Sequence, residues 1–119
     1  TPERYLESSP VFHFEGISAA MLFEAGVRSQ ALTMMESPKA AWLAGAPAEF
    51  VVYPKTGHNI RDRKLKIESA DRILDWSLFW LLGREDPASS KAAQYERWRR
   101  MRAEACARRK KDKPPSYCE

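Results

Sequence analysis

The residues of this 119-residue sequence that are best suited to chemistry surround His58, which follows Gly57 in a short polar segment. Imidazole has an ordinary pKa of roughly 6.5, so a histidine side chain can accept and release a proton near neutral pH. The glycine lets the backbone turn tightly beside the ring. This pair is compatible with general acid–base catalysis, although a lone histidine after a strand is more often a surface residue or a structural hydrogen-bonding residue.

Two other features of the sequence offer little chemistry. His13 lies between Phe12 and Phe14, and we interpret it as structural. Cys106 and Cys118 show neither CxxC spacing nor nearby histidines, so we expect neither a metal site nor a disulfide framework. This cysteine usage fits a cytoplasmic setting. No pattern in the sequence predicts a cofactor.

A strand and a helix flank the His58 segment. The run Glu49–Tyr53 is β-branched and aromatic and is ended by Pro54, which predicts a strand. Apolar residues over 66–82 follow the helical period, and Gly83 is a natural stop for that helix. The sequence therefore predicts a strand, a loop that carries a histidine, and a long amphipathic helix in succession.

The elements before this strand are less regular. The first ten residues predict a short helix that Thr1 can cap and Pro10 stops. The brief apolar run Ala19–Glu24 fits either a buried strand or the start of a helix. Residues 29–43 have helical spacing, but Pro38 lacks an N–H and is expected to kink or end that helix.

The last third of the chain is basic. Residues 84–113 carry eleven Lys or Arg against five Asp or Glu. Ser89 or Ser90 can cap a helix that runs to about Ala107, and residues 108–119 are predicted to fray. The longest apolar run of the sequence is far shorter than the roughly 20 residues that span a bilayer, so we expect no membrane segment.

The basic tail permits a binding function as an alternative. Its cations are interleaved with Tyr95 and Trp98, which could stack on bases while the cations neutralise phosphates. The cations are Arg97, Arg99, Arg100, Arg102, Arg108, Arg109, Lys110 and Lys111. Because no recognised nucleic-acid module is present, we treat nucleic-acid binding as a minor alternative to a solvated helix face.

Several short motifs in the sequence resemble successive motifs of the prolyl oligopeptidase family of serine peptidases, including its acylaminoacyl-peptidase-like and dipeptidyl-peptidase-like members. These motifs are Arg4–Val11, Pro47–Pro54, Gly57–Ile60, Asp71–Trp76 and Lys91–Arg99. The resemblance implies an α/β-hydrolase domain that cleaves short peptides through an acyl-enzyme and needs no cofactor. It also implies that His58 is the general base, which takes a serine proton and returns one to the leaving amine.

Two members of the triad that this resemblance implies are not found in the sequence. The nucleophile of such enzymes lies on a Gly-x-Ser-x-Gly turn, and no such word occurs here. The acidic residue belongs to a word like Gly-x-x-Asp-x-Arg-Val-Pro, and ungapped counting puts Arg28 on its arginine and Gly26 on its aspartate. Glu24 could replace that acid only if the loop were rebuilt. We therefore expect the chain to be inactive alone.

The sequence thus predicts an α/β fold, a partial α/β-hydrolase with few strands. Residues 1–83 would belong to the peptidase domain, and residues 84–119 would form a basic helical tail. The predicted function is that of the C-terminal segment of a serine-type peptidase acting on peptides, with His58 as its catalytic residue. The alternative is a non-catalytic fragment that self-associates through exposed sheet edges. A fragment, a truncated gene product and a decayed enzyme all fit these observations.

Overall fold

The computed structural model of the chain describes residues 1–108 and 114–119. The chain divides into two compact units, residues 1–60 and residues 61–119. The boundary between them falls inside the stretch 1–83 that the sequence assigns to a peptidase domain, and that assignment stays a prediction. No helix among the described residues is both long enough and apolar enough to cross a bilayer.

The first unit, residues 1–60, combines a two-stranded sheet with helices. Its elements in chain order are α1 (Pro2–Ser8), a 3-10 turn (Pro10–Phe12), β1 (Met21–Ala25), α2 (Arg28–Met34), α3 (Glu36–Leu43) and β2 (Ala48–Val52). The strands pair in parallel, with Ala25 opposite Val52. Parallel neighbours need a crossover connection, which α2 and α3 provide. This mixed architecture confirms the predicted α/β class.

The strands of the first unit and the interrupted helix between them follow the sequence pattern. The ambiguous run 19–24 contributes to strand β1, and the strand predicted over 49–53 is β2. The helix predicted over 29–43, with a kink or an end caused by Pro38, is divided at Met35. In a continuous helix the ring of Pro38 would collide with the carbonyl of Met34, four residues earlier. The break therefore falls before the proline, which then lies harmlessly in the first turn of α3.

The second unit, residues 61–119, is helical among its described residues. Its elements are α4 (Arg63–Leu82), a 3-10 turn (Ser89–Lys91), α5 (Ala92–Arg108) and a 3-10 turn (Ser116–Cys118). Helix α4 begins three residues earlier than predicted because the Asp62 carboxylate caps it, accepting from the Leu65 N–H at 3.0 Å. It ends at Gly83, whose φ of 63° is left-handed, as predicted.

Aromatic rings form the core of the second unit. The rings are those of Trp76, Phe79 and Trp80 on α4, Tyr95 and Trp98 on α5, and Tyr117 near the chain end. Trp98 is 0% exposed, and its ring centroid lies 5.1 Å from that of Trp76 and 5.6 Å from that of Phe79. Such ring pairs add stabilisation beyond the area that they bury. The two helices are thus held together by aromatic packing.

A disulfide joins Cys106 to Cys118, so the expectation that disulfides play no part in this structure is wrong. The pairing is possible because the chain end folds back: Tyr117 packs on Trp80 with ring centroids 5.1 Å apart. The predicted fraying does not describe residues 114–119, which include a 3-10 turn, while residues 109–113 lie outside the described residues. Disulfides persist in oxidising compartments, so the cytoplasmic expectation loses its basis in the cysteines.

Candidate functional site

The parallel strands bring together the chain segments that follow them. Gly26 comes directly after β1, and His58 lies six residues after the end of β2. The pairing continues one step past the strands, because the Tyr53 N–H donates to the Ala25 carbonyl at 2.8 Å. In α/β sheets the carboxyl ends of parallel strands form the edge where ligands and catalytic loops gather. The His58 loop lies at this edge.

The loop that carries His58 packs directly against Gly26. A Cβ atom at position 26 would overlap the Gly57 carbonyl oxygen and would lie 2.6 Å from the Thr56 hydroxyl oxygen. The Thr56 hydroxyl is itself oriented by donating to the Tyr53 carbonyl at 3.0 Å. Only glycine permits this approach. An acidic side chain at position 26, where ungapped counting puts the acid of the triad, would therefore require the His58 loop to move.

The imidazole of His58 is exposed and has a hydrogen-bond partner on α2. Its Nδ1 atom lies 2.7 Å from Nε2 of Gln30, which belongs to the first turn of that helix. The contact joins residues 28 positions apart in the sequence. The structure thus places a carboxamide, rather than the side chain of position 26, beside the ring nitrogen that the acid of a triad would orient.

Glu24, the possible replacement acid, is engaged elsewhere in the same unit. Its carboxylate accepts a hydrogen bond from the Tyr53 hydroxyl at 2.7 Å. Tyr53 is only 3% exposed, so this contact satisfies the hydroxyl of a buried side chain. Recruiting the Glu24 carboxylate to His58 would sacrifice that hydrogen bond, which agrees with the expectation that such a role needs a rebuilt loop.

Sequence reasoning missed Gln30. A glutamine in an amphipathic helix carries no catalytic signal, and ungapped counting placed the acid four residues earlier, at Gly26. The position of Gln30 could have been inferred from the predicted order of strands and helices. A residue in the first turn of the helix after β1 lies near the carboxyl end of that strand, and the loop after the parallel strand β2 reaches the same edge.

His13 has the structural contacts expected of it. Its Nε2 atom lies 3.0 Å from the carbonyl oxygens of both Leu6 and Glu7, and it therefore ties the first 3-10 turn to α1. Across residues 1–108 and 114–119, no group of three His, Cys, Asp or Glu side chains is arranged to hold a metal ion.

The second unit holds a charge cluster of its own around Lys91. The Nζ atom lies 2.8 Å from carboxylate oxygens of Asp71 and Asp75 and 2.9 Å from one of Asp86. Hydrogen bonds to these carboxylates, first that to Asp71, raise the pKa of Lys91 well above its ordinary value. The hydrogen bond from Lys91, followed by that from the Ala88 N–H, lowers the pKa of Asp86. An ammonium has three hydrogens, so all its donors are used and the cluster is structural.

The basic tail is partly committed to contacts within the second unit. Arg99 pairs with Glu85 at 2.6 Å, and the Arg102 guanidinium lies 4.6 Å from the centre of the Phe79 ring. The idea that Tyr95 and Trp98 stack on bases is wrong, because they are 2% and 0% exposed. Of the cations proposed to bind nucleic acid, Arg109, Lys110 and Lys111 lie outside the described residues. Nucleic-acid binding by the other cations stays a prediction.

Comparison with known proteins finds an isopeptidase that is similar to part of this chain. No protein-family model matches the chain. The lasso peptide isopeptidase AtxE2 of Asticcacaulis excentricus is 42% identical to it over 60 residues, which are 50% of this chain. The chain is homologous to part of this isopeptidase. It spans only 9% of the length of that protein.

Solved structures extend this similarity to the fold. A serine-to-alanine variant of the AtxE2 isopeptidase with Astexin3-dC4 bound matches with a TM-score of 0.75, and the apo form matches with 0.72. In each case the sequences are 30% identical, and the match covers 84% of this chain and 15% of the solved chain. The mixed α/β arrangement of this chain is therefore shared with a portion of the AtxE2 isopeptidase.

Proposed function

We propose that residues 1–83 are the C-terminal portion of the α/β-hydrolase domain of a serine-type peptidase of the prolyl oligopeptidase family, and that His58 is its general base. The observation that carries this proposal is the position of His58 in a loop after β2, beside the end of the parallel strand β1. In α/β-hydrolases the triad runs Ser, Asp or Glu, then His along the chain. A histidine after the last strand of the chain, followed by a long helix, fits that order.

The reaction that this position supports is acyl transfer from an amide to a serine. The serine would lie on a strand-to-helix turn contributed from outside residues 1–119, since these contain no Gly-x-Ser-x-Gly word. When the ring proton of His58 is on Nδ1, Nε2 would take the hydroxyl proton as the oxygen attacks the carbonyl carbon. The imidazolium would return that proton to the leaving amine, and water would then release the acyl group by the same route.

The substrate class follows from the relationship to a lasso peptide isopeptidase. An isopeptide bond is an amide whose carboxyl group or amine comes from a side chain, so its hydrolysis passes through the same tetrahedral intermediate as peptide hydrolysis. We propose a peptide or isopeptide substrate on this basis. The exposed position of His58 at the sheet edge is compatible with such a substrate, because the ring is open to solvent.

A chimeric enzyme tests this function. The segment of AtxE2 that matches this chain is exchanged for the chain itself, and hydrolysis of an isopeptide-containing peptide is measured. Because a carboxamide lies beside Nδ1 of His58 where a triad has a carboxylate, the chimera also carries Gln30→Glu. This chimera is expected to hydrolyse the substrate, and His58→Ala in the same background is expected to lower kcat/KM by about 10²–10⁴, the usual contribution of a general base.

The matched control is His13→Ala, which removes an imidazole that is bonded to backbone carbonyls and is expected to leave kcat/KM nearly unchanged. Folding of each chimera is checked by circular dichroism. A folded chimera without turnover, or equal rates for the two alanine variants, would show that His58 is not the base of this enzyme.

A further inference from the structure

The partner of His58 has chemistry that a serine-peptidase triad does not use. The residue beside Nδ1 of a triad histidine is a carboxylate, which accepts the Nδ1 proton and leaves Nε2 free to act as the base. Here the atom beside Nδ1 is the amide nitrogen of Gln30, at 2.7 Å. An amide nitrogen has two hydrogens to donate and does not accept a hydrogen bond. The Nδ1 lone pair must therefore be the acceptor.

This arrangement fixes the tautomer of the ring. When Nδ1 accepts a hydrogen bond, the proton of neutral imidazole resides on Nε2. A ring protonated at Nε2 cannot take a serine proton there, and a neutral amide adds no negative charge to stabilise an imidazolium. In a serine-protease triad, exchanging the carboxylate for its amide lowers kcat by about 10⁴ because it imposes this tautomer.

Contacts of the two chain segments that carry Gln30 and His58 help to position these residues. Gln30 lies only a few residues after β1, and its carbonyl accepts from the Thr33 hydroxyl at 3.0 Å. On the other side, the Thr56–Gly57 segment packs against Gly26 so closely that a Cβ atom there would overlap the Gly57 carbonyl oxygen. The end of β1 and the His58 loop are thus in direct contact, independently of the Gln30 side chain.

We propose that Gln30 is the positioning residue of His58 and that it holds the imidazole in the Nε2–H tautomer. An acidic residue at position 30 would orient His58 for catalysis. The role of His58 as a base rests on the proposed function, whereas the tautomer does not. With Gln30 in place, His58 cannot act as a base through Nε2. Gln30→Glu converts the ring to the Nδ1–H tautomer, because a carboxylate only accepts hydrogen bonds and therefore favours a proton on Nδ1.

Imidazole nitrogen NMR tests this proposal on the 119-residue chain without substrate or nucleophile. The chain is labelled with ¹⁵N-histidine and studied at about pH 9, well above the ordinary imidazole pKa of roughly 6.5, so that neutral rings are compared. Protonated and unprotonated ring nitrogens have widely separated ¹⁵N shifts, and long-range coupling to the ring protons assigns them. His13 is the internal control, because its Nε2 faces two carbonyl oxygens and must carry the proton.

The expected results are the Nε2–H tautomer of His58 in the unsubstituted chain, the Nδ1–H tautomer in Gln30→Glu, and an averaged mixture of both in Gln30→Ala. The His13 signals should not change in any of the three. A wild-type ring protonated at Nδ1, or identical His58 signals in wild type and Gln30→Ala, would overturn the proposal. Gln30→Glu is nearly isosteric, so it remains informative where Gln30→Ala fails to fold.

These results are independent of the chimera experiment. A Gln30→Glu chimera without activity, combined with the expected NMR shifts, would reject the peptidase function and keep Gln30 as the residue that orients His58. An active Gln30→Glu chimera, combined with His58 signals that do not respond to substitution of Gln30, would do the reverse.

Discussion

The two compact units differ in how fully the hydrogen-bonding groups of Lys91 and His58 are used. In residues 61–119, the Lys91 ammonium lies within 2.9 Å of three carboxylates, and its three hydrogens are all used. In residues 1–60, the exposed imidazole of His58 faces a neutral carboxamide at 2.7 Å. A group that exchanges protons with a substrate must keep some hydrogen-bonding capacity free. The Lys91 cluster, whose donors are all used, is therefore suited to a structural role, whereas the His58 ring has the free capacity that the proposed proton transfer needs.

The units also differ in what they bury. The second unit buries large aromatic side chains, among them Trp98 and Phe79 at 0% and 1% exposure. Most fully described core positions of the first unit are small or compact: Ala25, Ala31, Ala41, Ala46 and Pro47 are all buried. Small residues let strands and helices approach closely but contribute little apolar area each. Substitutions in the second unit are therefore expected to cost more free energy.

The largest expected effect is that of Trp98→Ala. Removing this fully buried indole leaves a cavity between α4 and α5, and we expect the free energy of unfolding of residues 61–119 to fall by about 3–5 kcal/mol. Urea unfolding followed by amide hydrogen exchange of α4 and α5 measures this loss. The control in the first unit is Leu32→Ala, a residue that is 64% exposed, and its cost is expected to stay below about 1 kcal/mol. Equal costs would contradict the contrast between the two cores.

Lys91→Met is expected to have an intermediate effect. The substitution leaves the Asp75 carboxylate, whose side chain is 5% exposed, with the Gln94 amide at 3.0 Å but without its ammonium partner. Breaking such a pair leaves a poorly solvated charge, and we expect a loss of about 2–3 kcal/mol at pH 7. The control is Lys66→Met, an exposed lysine on α4, for which urea unfolding should show little change.

The pH dependence of stability sharpens the same comparison. The pKa of Lys91 is raised, so its contribution is complete below the unfolded value of about 10.4 and is lost only as the pH rises through the raised pKa. The pKa of Asp86 is lowered, so its contribution is present above about 3.9 and is lost as the pH falls through the lowered pKa. The free energy of unfolding of Lys91→Met should therefore fall less on acidification than that of wild type, as measured by urea unfolding at several pH values. The same fall in both proteins would show that the cluster does not couple to folding.

The contrast between the units also explains what could be predicted from the sequence. Helix α4 and strand β2 were predictable, because local periodicity and the stops at Gly83 and Pro54 define them. The interruption of the helix over 29–43 was also predictable, because a proline ring collides with the carbonyl four residues before it; only the position of the break, at Met35, came from the structure.

The contacts that decide the chemistry were beyond such local patterns. The Gln30–His58 contact spans 28 residues and depends on parallel strand pairing. The Cys106–Cys118 disulfide depends on a chain reversal that the spacing of 12 residues does not reveal. Local physics therefore predicts the elements, while the identity of the group beside the histidine requires the three-dimensional register.

Gly26→Ala gives the smallest stability change and tests the contact on which the site depends. Its Cβ would overlap the Gly57 carbonyl oxygen, so we expect a loss of about 1–2 kcal/mol in the first unit, measured by urea unfolding. Gly57→Ala is the control, because its φ is not positive and its Cβ would meet the nearest atom only at 4.0 Å. If position 26 is a packing site, Gly26→Asp should destabilise at least as much as Gly26→Ala. If the Gly26→Asp chain were as stable as wild type, position 26 rather than position 30 would be favoured as the place of the acidic residue.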